Sequence, residues 1–252
     1  MKSDSSSIDK VFGLLEFLAR ENKPVSLQAA TESVGLSKPT AYRLLQSLQK
    51  LGYVSRPMGS RDYVIGQRTA LLSVADPWPE LKSSARPLLR KIHEELNETV
   101  NLAVLSNDRV NYLDFIETTQ PLRFIVTPGQ SDPYYCTALG RAIAAQLSDG
   151  QFERLLSTTK LTPLTPYTVA SVPELRRRIH SVRETGVAEE IEETVLGVCC
   201  LAVSLASMGH PEAAISIAVP VQRLTPQKKN HLIKALKRIQ NPRNRATQEA
   251  RS

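Results

Sequence analysis

Ser37, Lys38, Thr40, Tyr42 and Arg43 fall within seven consecutive positions, a set of cations and hydroxyls suited to a polyanion. An arginine fork can hold guanine O6 and N7 at once, which discriminates against a wrong base by about 1–3 kcal/mol. The lysine and the hydroxyls suit flanking phosphates and base edges. Further along, Arg56 and Arg61 flank the turn-forming stretch Pro57-Met58-Gly59-Ser60. If that stretch is a hairpin tip, two guanidinium groups stand beside the same surface.

Other chemistries find less support. Glu189, Glu190, Glu192 and Glu193 can be read as a general acid and base, but so dense an acidic run reads better as a solvated turn before a strand. No nucleophile motif accompanies it. His93, His180, His210 and His231 are scattered, and Cys136, Cys199 and Cys200 lack a metal-binding CxxC spacing. Gly129 and Gly140 are isolated, so no glycine loop is present to cradle phosphate. No cofactor and no metal are expected. A small-molecule-processing enzyme with an appended helix-turn-helix module is the alternative reading.

The elements that must position the polar set are legible. Val11, Leu14, Leu15 and Leu18 follow the spacing of one helical face. Asn22-Lys23-Pro24 ends that helix. Ser26 is placed to cap a second one with Leu27, Ala30 and Val34 inward, and Gly35 stops it. Ser37 is then placed to cap a third helix with Pro39 in its first turn. At about 100° per residue, Ala41, Leu44, Leu45 and Leu48 share one stripe and Pro39, Arg43, Gln46 and Lys50 lie opposite. Gly52 ends this helix, and extended segments at Tyr53-Val54 and from Arg61 to Ile65 predict a hairpin. Three helices and a two-stranded wing make a winged helix-turn-helix.

Charge is divided along the chain. Residues 1–75 carry ten basic and six acidic groups, residues 76–222 thirteen and eighteen, and residues 223–252 nine and one. The overall +7 and the pI near 9.4 therefore join a basic head, an acidic body and a basic tail. Lys228, Lys229, Lys234, Lys237 and Arg238 look like the polar face of a last helix, and residues 241–252 offer almost nothing apolar to bury, so a frayed end is expected. No apolar run reaches the roughly 18 residues of a membrane helix. The opening MKSDSSS lacks the layout of a signal peptide, and three cysteines cannot form a disulfide framework, so a cytoplasmic protein is expected.

The body reads as a mixed α/β domain. A helix through Leu81, Leu88, Leu89, Ile92 and Leu96 leads to a strand from Val100 to Leu105, a turn at Asn107-Asp108, and a strand from Val110 to Ile116. Two later strands, Cys199 to Ser207 and Ala213 to Val219, are joined through Met208-Gly209-His210-Pro211. Helices at about 138–147, 151–156 and 174–184 intervene. Strand pairs separated by helices favour a largely antiparallel sheet with helices packed on it.

The stretches SLQAATESVGLSKPTAYRLLQSLQKLGYV, YVIGQRTALL, ARPLLRKIHEELNETVNLAVL, YYCTALGRAIAA, LTPYT, LRRRIHSVRETGV, GVCCLAVSL and RLTPQKK, in that order, resemble the IclR family of bacterial transcriptional regulators over residues 8–240. The resemblance implies an α+β chain: a winged helix-turn-helix at 5–66, a linker helix at 67–76 and a GAF-like effector-binding domain at 79–240. It also implies double-stranded operator DNA, a homodimer through the N-terminal domain that can pair into a homotetramer, and an effector expected to be a metabolite or small organic acid.

Matched onto the family's pocket motifs, Ala138 and Leu139 fall on a loop-to-helix segment, Glu190 falls where the family usually has Asp, and Cys200, Ser216 and Ala218 fall on facing strand positions. Helix-start N–H groups opposite hydroxyl or thiol donors would suit a small carboxylate. Ala218 replaces a second Ser found in members with a well-defined carboxylate site, and Glu190 is one methylene longer, so a larger effector, a differently polar one or none at all is also open. Tyr134 and Tyr135 can select an aromatic ligand or belong to the core. Cys200 can be a pocket group or a small buried hydrophobe, and Cys199 should face the other side of the sheet.

Overall fold

The computed structural model describes residues 6–72, 76–126 and 129–240, which form two compact units divided after Pro77. Residues 73–75 of the expected linker helix and the expected frayed tail, 241–252, lie outside the described residues.

In the first unit, helices α1 (Ser7–Glu21), α2 (Leu27–Val34) and α3 (Lys38–Lys50) precede strands β1 (Val54–Ser55) and β2 (Val64–Ile65). Ser6 and Asp9 form a reciprocal capping box on α1, and the Ser26 hydroxyl accepts the N–H of Ala29 at the start of α2. Gly35 ends α2 at φ +65°, a left-handed conformation that costs glycine little. Leu14, Leu15 and Leu18 of α1, Ala30 of α2, and Leu45 and Leu48 of α3 close over Val25, Val54 and Tyr63.

The wing is shorter than the sequence suggests. Its ladder comprises only Val54 with Ile65 and Ser55 with Val64. Tyr63 turns instead to Val25 in the α1–α2 connection, exchanging backbone hydrogen bonds of 2.8 and 2.9 Å. A 3-10 helix, Gln67–Leu72, follows, where the sequence predicts the start of a linker helix.

The second unit contains α4 (Pro79–Leu96), β3 (Thr99–Ser106), β4 (Arg109–Ile116), β5 (Ser131–Pro133), α5 (Ala138–Ala144), α6 (Asp149–Thr158), α7 (Val172–Thr185), β6 (Ala188–Ile191), β7 (Val198–Leu205), β8 (His210–Pro220) and α8 (Pro226–Gln240). The strands form one sheet in the order β5-β4-β3-β8-β7-β6, with every pairing antiparallel. The short strands β5 and β6 were not expected from the sequence. His210 and Pro211 belong to β8 rather than to the connection, while Ser207 lies in a 3-10 turn.

Side chains alternate across the pleat, and the two faces differ in kind. One carries Val100, Leu102, Leu201, Val203, Ile215 and Ile217 against α4 and α8. The other is lined by small residues, Ala103, Ala188, Ala202 and Ala214, against α5, α6 and α7. Alanines let α5 lie close, and so does Gly140: a Cβ there would stand 2.4 Å from the Cα of Tyr134.

The basic last helix is tied down by acidic residues of the body. Lys228 approaches Glu98 at 3.3 Å, Lys229 reaches Glu189 at 2.6 Å, and both His231 and Arg238 meet Glu95.

Candidate functional site

On α3 the amphipathic stripe separates packing from the free surface. Ala41, Leu45 and Leu48 are buried and Leu44 is half-buried. Ser37, Lys38, Tyr42 and Arg43 are exposed, Tyr42 by 48%. Ser37 occupies the N-cap position, but its hydroxyl bonds no backbone N–H. It pairs at 2.8 Å with the hydroxyl of half-buried Thr40, so these two hydroxyls satisfy each other and Lys38, Tyr42 and Arg43 are the readier contacts.

The two wing arginines are not equivalent. Arg61 is exposed. Arg56 is half-buried over the Tyr63 ring, 4.3 Å from its centroid, and donates to the Tyr63 hydroxyl, while its Nε is buried without a partner. Arg56 thus holds the base of the wing. Arg68, absent from the sequence-based set, lies 5.6 Å from the Tyr53 ring centre and donates to the Leu51 carbonyl at 3.2 Å. Its partner is 17 residues away, and no local spacing signals that contact.

In the second unit, strand register aligns Glu190, Cys200, Ala218 and Thr99 in one row, with Ala188, Ala202, Ser216 and Asn101 in the next row on the same face. Ala138 and Leu139 begin α5 and are buried against this face. The N–H of Gly140, in the first turn of α5, is taken by the Thr137 hydroxyl at 3.0 Å. Cys199 pairs with Val219, which belongs to the core on the opposite face.

The acidic run is not a solvated turn. Glu190 and Glu193 are each 1% exposed. Glu193 forms a bidentate ion pair with Arg141, itself 0% exposed, which also donates to the Tyr135 and Glu189 carbonyls. Glu192 accepts the N–H of Gly197 at 2.8 Å. The sequence reading missed Arg141, because a lone arginine beside a helix of small residues reads as surface and its partner lies 52 positions away.

Glu190 accepts the N–H of Glu193 at 2.9 Å and the Thr194 hydroxyl at 3.0 Å. Burial nevertheless pushes its carboxyl up to about 7 from an ordinary 4.5, the two hydrogen bonds opposing the shift. A carboxyl raised in the folded state contributes stability fully present below its unfolded value and lost as pH rises through its folded value. The contribution of Glu190 should therefore be lost between about pH 4.5 and 7, and Glu190→Gln should remove that part of the pH dependence. Identical pH slopes in urea unfolding of the two proteins would remove this role.

Around Glu190 stand Cys200, Cys136, Tyr112 and Asp132. Burial raises Cys200 and Tyr112, with Glu190 and Asp132 adding to the rise, and pushes Cys136 up to about 12. Neither thiol is primed for nucleophilic chemistry. Asn101 donates to Ser216 Oγ at 3.3 Å, while its own Oδ1 is buried with no partner. Tyr134 and Tyr135 are core residues: both are buried, and the Tyr135 hydroxyl engages the N–H and carbonyl of Thr162 at 2.9 and 2.8 Å. Separately, a cavity of about 650 Å³ opens at the free edge of β6, with Arg178, Ser181, Thr185, Ile191 and Lys237 among its walls.

Comparison with known proteins follows the division into units. Residues 7–57 match the IclR helix-turn-helix domain, and residues 78–241 match the domain described as bacterial transcriptional regulator IclR C-terminal. The chain is 32% identical over 218 residues to the probable transcriptional regulator SauR of Cupriavidus necator, covering 86% of each. It is 31% identical over 223 residues to the transcriptional repressor IclR of Escherichia coli, covering 87% of this chain and 81% of the relative. The crystal structure of Thermotoga maritima IclR superposes with a TM-score of 0.71 at 26% identity, covering 92% of this chain and 95% of that one.

Proposed function

This chain belongs to the IclR family of bacterial transcriptional regulators, and from that premise we propose how its surfaces divide the work of DNA-binding regulation. A winged helix-turn-helix at residues 5–66 reads operator DNA, residues 67–76 link it onward, and residues 79–240 sense a small molecule. Recognition falls to Lys38, Tyr42 and Arg43, with Ser37 and Thr40 at the helix start and Arg61 on the wing. Arg56 acts one step back, by holding Tyr63. The observation that carries this reading is the exposed, cationic N-terminal half of α3 set against a buried opposite stripe.

One such helix spans only a few base pairs, so useful specificity calls for two copies on paired half-sites. Ile8 and Phe12 support a dimer: they stand one turn apart on α1 and are both exposed. The protein works in the cytoplasm, where operator DNA is found, and performs no chemistry of its own. Effector binding at the face bearing Ala138, Leu139, Glu190, Cys200, Ser216 and Ala218 shifts the population of DNA-competent dimers, and DNA must shift effector affinity by the same factor.

The test is selection of bound genomic fragments by the full chain, followed by affinity measurements across a range of salt. Sequence-selective retention supports the reading, and uniform retention of random DNA removes it. Within that experiment, Arg61→Ala should lower the salt slope by about one counterion while leaving sequence preference intact. An unchanged slope takes the wing off the DNA.

A further inference from the structure

The polar groups on the sensing face have an uneven hydrogen-bond balance. Asn101 is 1% exposed and its amide nitrogen serves Ser216, but its carbonyl oxygen receives nothing. A buried acceptor left unmet is costly, and native structures usually supply it with a donor. Thr99, the other polar group of β3 on this face, is already engaged, since its hydroxyl donates to the Phe124 carbonyl at 3.4 Å and accepts the N–H of Thr118 at 3.3 Å. The gap is specific to the Asn101–Ser216 position.

Charge around that position points the same way. Glu190 and Asp132 both act on Tyr112 and Cys200, so two carboxyl groups border the face. Arg141 reaches this cluster, and its guanidinium is already committed to Glu193 and to two backbone carbonyls. At the start of helix α5, the N–H of Gly140 is already taken by Thr137. An incoming carboxylate would meet the Asn101 Oδ1 acceptor and the Asp132 carboxyl, whereas a hydroxyl or N–H would give Asn101 Oδ1 the donor it lacks.

We propose that the molecule sensed here presents hydrogen-bond donors to the sheet, through a hydroxyl, amide or amine headgroup that is neutral or cationic, with Asn101 Oδ1 as its anchor. This rests on the sensing role given to the same face above. Ser216, whose hydroxyl can donate onward, completes the fit for a hydroxyl that both gives and receives. Specificity follows from the unmet acceptor, because a site built around a donor rejects analogues that lack it far more strongly than an apolar pocket rejects a misfit.

Thermal unfolding of the full chain tests the idea against sets of compounds sharing carbon skeletons: short-chain and aromatic carboxylates, the corresponding alcohols and amides, and the corresponding amines. Members of the alcohol, amide or amine sets should raise the melting temperature by a few degrees at about a hundredfold excess over Kd. Their carboxylate counterparts should bind at least about tenfold more weakly. Asn101→Leu, of similar volume, should abolish the shift. Ser216→Ala removes only a hydroxyl and serves the same purpose if the first variant does not fold. Should carboxylates give the shift and lose it in these variants, the headgroup assignment is wrong and the sensing role stands. A shift that survives both variants places the ligand elsewhere, for example in the cavity at the β6 edge, and overturns the assignment of this face. No shift from any set removes the sensing role together with the inference.

Discussion

Glu193→Ala should destabilise the second unit by about 3–5 kcal/mol, the range expected when one partner of a buried ion pair is removed and the other charge stays buried. Arg141 cannot escape to water. It is fully buried, its Nε is held by the Tyr135 carbonyl at 2.8 Å and its Nη1 by the Glu189 carbonyl at 3.0 Å. Glu193 in turn accepts the N–H of Val169 at 3.1 Å, and Thr168 donates to its carbonyl at 2.6 Å. Losing this carboxylate releases three segments at once: the start of α5, the β6–β7 connection and the approach to α7.

Urea unfolding followed by tryptophan fluorescence reads the effect, because Trp78 is the one tryptophan in the chain and packs against the core of this unit. The paired replacement Arg141→Met with Glu193→Leu should recover part of the loss, since no uncompensated charge stays buried, while the Tyr135 and Glu189 carbonyls and the Val169 N–H still lose their partners. A cost below about 1 kcal/mol for the single variant would place the pair among exposed salt bridges in energetic terms and remove it as the fastening of this face.

Arg43→Ala should weaken binding to the selected operator by roughly ten- to a hundredfold, corresponding to about 1–3 kcal/mol of base discrimination. Affinity for random DNA should change far less. The side chain stands exposed on the free face of α3, so folding should be little disturbed. Fluorescence anisotropy with operator and scrambled duplexes at one salt concentration separates the outcomes. Equal losses on both duplexes would reduce Arg43 to a phosphate contact.

Periodic elements could be read from the chain because their information is local. The stripes Leu14-Leu15-Leu18 and Ala41-Leu45-Leu48, the caps at Ser26 and Gly35, and strands β3, β4, β7 and β8 follow from neighbours a few residues apart. What escaped depends on distant partners. Strand β6 reads Ala-Glu-Glu-Ile, a sequence that suggests solvent, but Glu189 finds Lys229 40 positions later and Glu190 is enclosed beside Cys200. Tyr63 was assigned to the wing strand by its neighbours, and its backbone pairs with Val25. The same limit applies to Ser37: its cap position was evident, whereas the alternative partner, Thr40 Oγ1, depends on a rotamer that no spacing encodes. For the face proposed as the effector site, the family pattern supplied residues on strands β6, β7 and β8, while Asn101, Tyr112 and Asp132 came into view only once register was known.

The pairing of α8 with Glu95, Glu98 and Glu189 means that this stretch of the chain carries its own counterions. Lys228, Lys229 and Arg238, already matched by carboxylates, exert less of the pull on a nucleic acid than a pI near 9.4 suggests. Added salt should therefore act on the protein in two unequal ways. It strips the head from DNA, where each phosphate contact liberates an ion, and it leaves α8 in place, because Leu232, Ala235 and Leu236 are buried in the core of this unit and the Lys228–Glu98 pair is partly enclosed.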